Sequence, residues 1–460
     1  MRPGIAAGHP ATADAGVEIL AEGGSAGDAG VAACLASCVA ETVMTGFLGG
    51  GHAIYHDAAT GDTRNLDCFV AVPGLEARSE HAELLELRVP FGAELVHYAV
   101  GIASCGVPGL PAGLAALHDA YGRLPWPRLV EPALRIARSG VEMPAAHAAC
   151  LEMLAPVMTM REGGRIYSPG GALLRTGDRL DQPGLVAALE LIAAEGATSV
   201  YRGTLAERLL ALMDERGGVV TRRDLEDYEP AWTPTLDVFY LGRRVRTRGG
   251  LSRVPVTIER LPVLRGASEH DRVLTLVHAL GAEEGAGHTT NLTVVDNEGS
   301  ICVLTTSLGL GSGDFLPGLD LHLNSMLGET DLLRELLDPG ERMGSMMAPT
   351  LAIDEGGPEL AIGAAGGTRL HTALVTVAAG ILDEGLEPQA AVDRPRVHPA
   401  GSVVHAEPGV DEEGLEELER RGWSVRRWPA LHHYFGGVSL IGRTGAAADP
   451  RRNGAALTPG

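Results

Sequence analysis

Two adjacent threonines behind a glycine and a histidine, Gly287-His288-Thr289-Thr290, stand immediately before a strand-like run, Asn291-Leu292-Thr293-Val294-Val295-Asp296. A hydroxyl there can attack the carbonyl before it, cut the chain, and leave a new amino-terminal threonine that carries its own general base. A chain that does this is an amidohydrolase or acyltransferase. One that does not has an ordinary strand residue at Thr289, since paired threonines suit strands on propensity alone. A nucleophile made by internal cleavage also needs a strand to hold it rigidly, hydroxyls beside it, and backbone amides aimed at the developing oxyanion.

Other chemistries are poorly provided for. The 37 basic residues are all arginine, so Schiff-base catalysis, Ser-Lys dyads and lysine-dependent phosphate loops are excluded. Six cysteines (Cys34, Cys38, Cys68, Cys105, Cys150, Cys302) lack CxxC spacing and read as buried thiols. His432-His433 point to opposite faces of a strand without a carboxylate at ligand spacing, so neither a metal nor any other cofactor is expected. The glycine run Gly49-Gly50-Gly51 has no preceding strand and following helix to make a dinucleotide fingerprint; it suits close approach of backbones. A formal net charge of −22 would repel nucleic acid and anionic membranes. No apolar run is long enough to span a bilayer, and a soluble, cytoplasmic protein is expected.

The elements that must position this chemistry follow from pattern. Residues 12 to 23 and 25 to 41 read as helices, with Thr12 and Ser25 as N-caps. Helices are expected from Gly109 to Tyr121, from Trp126 to about Gly140, and through most of 180 to 228. The stretch from Val238 to His288 is less regular, and its arginines (Arg243, Arg244, Arg246, Arg248, Arg253) read as a solvated face. Beyond 288 a hairpin is predicted, 290–296 and 300–307 around Asn297-Glu298-Gly299, then strands at 349–354, 359–363, 402–406 and 436–442 and a helix at 369–382.

Several segments, in order along most of the chain, resemble those of the γ-glutamyltranspeptidases, a family of amino-terminal-nucleophile (Ntn) hydrolases. They are Gly16 to Ala26 with Asp28, Gly49-Gly50-Gly51, Gly106-Val107-Pro108-Gly109, Thr289 to Asp296 with Gly299, Ser345 to Thr350, Gly366-Gly367-Thr368-Arg369, and Asp449-Pro450-Arg451. The resemblance implies an α+β protein, a four-layer αββα sandwich, in which a large-subunit-like segment 1–288 and a small-subunit-like segment 289–460 form one domain. It implies cleavage between His288 and Thr289, by attack of the Thr289 hydroxyl on the His288 carbonyl and an N-to-O shift, giving a heterodimer of the chain's own two fragments. Thr289 would then form an acyl-enzyme with a small amide or γ-glutamyl substrate, and water or an amine would take the acyl group. Gly366 and Gly367 correspond to the oxyanion hole, Ser307 to the hydroxyl that orients the nucleophile, Glu329 to the acid that binds the donor's α-amine, and Ser345 to the first of two serines on its carboxylate.

Departures from the family cluster at one end of the substrate. Phe69 stands where an arginine pairs with the donor α-carboxylate, Met346 replaces the second serine, and Gly309 replaces a donor-binding asparagine. A phenyl ring cannot make a bidentate ion pair. Either another arginine, such as Arg369, takes over, or the acyl group lacks that carboxylate. The competing expectation is an uncleaved, non-catalytic member that serves as a binding or scaffold protein.

Overall fold

A computed structural model describes residues 1–76, 82–91, 94–281, 289–333 and 335–459. Two antiparallel sheets lie face to face between two layers of helices, the α+β sandwich expected from the sequence. The first sheet has seven strands in the order Ala455–Leu457, Gly4–Ala7, Thr290–Val295, Ile301–Ser307, Gly50–His56, Thr63–Cys68, Ala231–Pro234. The second has six: Ala446–Ala448, Gly437–Gly442, Gly357–Ala365, Thr350–Asp354, Arg243–Thr247, Leu236–Tyr240. Both the chain before residue 288 and the chain after it supply strands to each sheet.

The layers follow from side-chain alternation. Leu292, Val294, Cys302 and Leu304 turn toward the helices Pro10–Ala21, Ala26–Ala40 and Leu110–Tyr121 in one apolar cluster. Val295, Ile301 and Val303 turn the other way and meet Leu351, Ala361 and Ile441 of the second sheet. That sheet is covered outside by the helix Arg369–Leu382, nearly all of which is buried, and by Glu269–Leu280. The strand Thr290–Val295 is therefore central and buried on both faces, which fixes the residue just before it.

Local signals acted largely as read. Ser25 closes a capping box with Asp28 before Ala26–Ala40, and the hairpin 290–307 pairs Thr290 with Thr306 through Val295 with Ile301. The first helix differs, because His9, not Thr12, is its N-cap: the His9 ring accepts from the Ala11 amide at 3.0 Å and Pro10 begins the helix. Thr12 instead turns inward and donates to Glu41 at 2.7 Å. The stretch read as irregular holds two strands and the helices Val254–Arg260 and Glu269–Leu280. Its arginines are not one solvated face either: Arg243 pairs with Glu359 at 2.8 Å, and Arg248 donates to the carbonyls of Ser345 and Met347 at 3.0 and 3.1 Å. Among the described residues no helix is long and apolar enough to cross a membrane.

Candidate active site

Thr289 sits at the entrance to the central strand, 4 % exposed. Its Oγ1 accepts a hydrogen bond from the Gly366 amide at 3.0 Å, and Arg452 Nη1 reaches its carbonyl oxygen at 3.4 Å. Gly366 ends the neighbouring part of the second sheet, where Gly357–Ala365 gives way to the helix Arg369–Leu382. The turn requires glycine: φ is +128° at Gly366 and +60° at Gly367, and a Cβ on Gly366 would stand 3.0 Å from the Gly436 Cα. The carbonyls of Gly366 and Gly367 accept from Arg369 and Leu370, so the amides before them lie at the positive end of the helix. That end suits a negative charge developing beside Thr289.

A small cavity opens from Thr289. Its polar lining is Ser307, Glu329 and Ser345 with the Gly367 backbone; the remainder is Phe69, Met326, Leu332, Met346, Met347 and Leu370. Ser307 ends the second strand of the hairpin, and its Oγ accepts from the Gly309 amide at 2.9 Å. Ser345 Oγ accepts from the Met347 amide at 3.2 Å. Glu329 follows the short turn Met326–Gly328; its Oε1 has no hydrogen-bond partner among the described residues. Burial, helped by the negative charge of Asp331, pushes its carboxyl up to about 8. A carboxyl stored in this way calls for a ligand cation or, while it keeps its proton, for a hydrogen-bond acceptor.

Phe69 forms one wall. It follows the strand Thr63–Cys68, is 1 % exposed, and stacks on His52 with ring centres 5.6 Å apart. The glycine run explains how it is seated, since a Cβ on Gly50 would come within 2.9 Å of the Phe69 Cα. Two arginines brace this wall from behind by binding backbone carbonyls: Arg248 at Ser345 and Met347, and Arg342 at Phe69, 2.8 Å. Among the described residues no arginine lines the cavity. Arg369 does not take the place of the absent cation; it is buried in its helix with its guanidinium 5.3 Å from the Tyr434 ring centre.

Thr289, Ser307, Glu329, Ser345, Phe69 and Met346 thus share one cavity with Gly367, and the Gly366 amide touches the Thr289 hydroxyl directly. His288, on the far side of the expected cleavage point, lies outside the described residues. Sequence reasoning missed the apolar lining residues Met326, Leu332 and Leu370, single side chains from separate segments, and gave no role to Met347 although it lies within the segment Ser345 to Thr350. It also missed Glu41 and Arg452 behind the nucleophile. Arg452 directly follows Asp449-Pro450-Arg451, the one signal that pointed near it.

A threonine at the head of a central strand of an αββα sandwich, its hydroxyl held by a glycine amide, has the layout of an Ntn hydrolase. The γ-glutamyltranspeptidase family model matches residues 12–280 and 267–458, and the chain belongs to that family. It is 25 % identical to the glutathione hydrolase proenzyme of Bacillus subtilis strain 168, over 98 % of this chain and 91 % of that protein. It is 27 % identical to the acylase ACY 1 proenzyme of Pseudomonas sp. strain SE83, over 95 % of this chain and 89 % of that one. The crystal structure of cephalosporin acylase from Bacillus halodurans shares the fold, with a TM-score of 0.82 and 23 % identity over 99 % of this chain and 96 % of that one. The protein is an enzyme of the γ-glutamyltransferase and hydrolase type.

Proposed function

We propose that the chain cleaves itself between His288 and Thr289 and then transfers or hydrolyses an acyl group that carries a distal ammonium but no α-carboxylate. In each turnover Thr289 Oγ1 attacks the donor amide carbonyl while the freed α-amine takes the hydroxyl proton. The Gly366 amide, which donates to Oγ1 before attack, turns with the Gly367 amide to hold the tetrahedral oxygen, and Ser307 orients the hydroxyl. The amine passes its proton to the leaving nitrogen, and water or an acceptor amine then releases the acyl group.

The donor class is carried by one observation: the cavity beside Thr289 holds a buried carboxyl, Glu329, whose Oε1 has no partner among the described residues, while Phe69 and Met346 line it without a polar side chain. A donor ammonium would complete Glu329. A donor carboxylate would be buried against a phenyl ring and a thioether, at a cost of about 3 kcal/mol or roughly 100-fold.

Four p-nitroanilides separate the possibilities: γ-glutamyl, 4-aminobutyryl (the same chain without its carboxylate), glutaryl (without its amine) and butyryl (without either). The 4-aminobutyryl donor should give the highest kcat/KM, about 100-fold above γ-glutamyl. A γ-glutamyl donor that outperforms the other three would refute the altered specificity.

A further inference from the structure

Behind Thr289 lies a second, small pocket lined by Glu41, His147, Asp449 and Arg452. Arg452 is 5 % exposed. Its Nη1 contacts Met44 Sδ at 3.1 Å and the Thr289 carbonyl at 3.4 Å, and its Nε has no hydrogen-bond partner among the described residues.

The acids that could neutralise this cation are engaged elsewhere. Asp449 pairs with Arg396 at 2.6 Å and Arg451 at 3.2 Å. Glu41, at the end of the helix Ala26–Ala40, accepts the hydroxyls of Thr12 and Thr290 at 2.7 and 2.5 Å, and burial raises its carboxyl. His9 and His147 face the same region and are kept neutral by burial, pushed down to about 4 and about 3. Burial also lifts the Cys150 thiol to about 12. Arg369 adds a second positive charge nearby, and Glu329 lies across Thr289 in the acyl cavity. Arginine stays protonated under such conditions. A cation with no ion-pair partner among the described residues therefore rests against the carbonyl of Thr289, the residue whose own nitrogen is freed when the chain is cut.

We propose that Arg452 destabilises the ammonium form of the Thr289 α-amine and so keeps the nucleophile's own base unprotonated at neutral pH. The inference rests on Thr289 being the processed nucleophile. A free α-amine ordinarily titrates near about 8 and is mostly protonated at neutrality. A single positive charge at this range, at an effective dielectric constant of about 20, lowers that value by about one to two units. Arg452 is then a positioning residue: it holds the Thr289 carbonyl and sets the charge state of the base, without touching substrate.

The absence of lysine makes the test direct, because no side chain in residues 1–460 carries a primary amine that would compete with the Thr289 α-amine. Labelling with acetic anhydride from about pH 5 to about pH 9, read by mass on the peptide that begins at Thr289, gives that amine's pKa. Alongside it, the acid limb of kcat/KM reports the base in turnover. The wild-type amine should titrate at or below about 7. Arg452→Met should raise it, and the acid limb, by about one unit, while Arg452→Lys should stay near wild type. A wild-type value of about 8 or more, or processed Arg452→Met with an unmoved value, would overturn the inference. Should Arg452→Met not process, the wild-type value alone decides. Failure to find any peptide beginning at Thr289 would instead remove the nucleophile reading, and this inference with it.

Discussion

Glu329 gives the most quantitative handle on the acyl cavity. In the unfolded chain its carboxyl ionises near its ordinary value of 4.5; in the folded protein burial holds the proton to about 8. A group whose pKa is raised on folding contributes stability below its unfolded pKa, and that contribution is lost as pH rises through the folded value. The native state should therefore lose stability between about pH 4.5 and about pH 8, up to a limit of roughly 5 kcal/mol at 1.36 kcal/mol per unit. With 6 % of its surface exposed, Glu329 gains little relief from solvent. Glu329→Gln keeps the shape and removes the titration. Urea unfolding midpoints at about pH 5, 6, 7, 8 and 9 should converge for wild type and variant at the acid end and separate toward the alkaline end, the variant being the more stable. Adding 4-aminobutyramide should narrow the gap for wild type alone, because its ammonium pairs with the carboxylate. Midpoints that run parallel across the whole range would show that Glu329 is not held protonated, and the argument for a stored carboxyl would fail.

Two substitutions probe the backbone beside Glu329 and Thr289. Gly366→Ala places a Cβ 3.0 Å from the Gly436 Cα and 3.3 Å from Arg452 Nη2 at a φ of +128°, so the amide that meets Thr289 Oγ1 must move. The kcat should fall by about 100- to 1,000-fold, with the thermal midpoint lowered by the strained turn, and a loss under about threefold would contradict the oxyanion role. Gly309→Asn restores the family's residue type but should not restore γ-glutamyl turnover, because its Cβ would fall 2.7 Å from Ser325 Oγ and 2.8 Å from Glu329 Oε1. A φ of +71° is tolerable for asparagine, so a lowered melting midpoint would report the collision itself; a variant that melts like wild type and gains γ-glutamyl activity would show the space exists.

The parts of the fold legible in sequence are those with strong local signals. The helix at 369–382 follows two glycines and runs to Leu382 as read, and Ser25 announces its helix through a capping box. The hairpin that carries Thr289 and Ser307 was legible because alternation and Asn297-Glu298-Gly299 act over a few residues. Thr12 was misplaced because its hydroxyl is used 29 residues away, by Glu41, and not by its own helix end. In the strand Arg243–Thr247 only Val245 is apolar, so no alternation could be read; Arg243 and Arg246 find partners on other strands. Polar site residues were readable through their motifs. The apolar wall was not, since Met326, Leu332 and Leu370 become neighbours only when three separate turns and helices meet at Thr289. Arg452 was invisible as a partner of Thr289 for the same reason, the two being 163 residues apart.

Everything above turns on Thr289 as an amino-terminal nucleophile. Intact-mass analysis of purified protein, before and after brief exposure to 4-aminobutyryl p-nitroanilide, addresses it in one experiment. Two fragments corresponding to 1–288 and 289–460 are expected, with the acyl mass appearing only on the fragment that begins with Thr289, and Thr289→Ala should remain a full-length, inactive chain. A full-length wild-type chain that turns the donor over, or an acyl adduct on the 1–288 fragment, would contradict it.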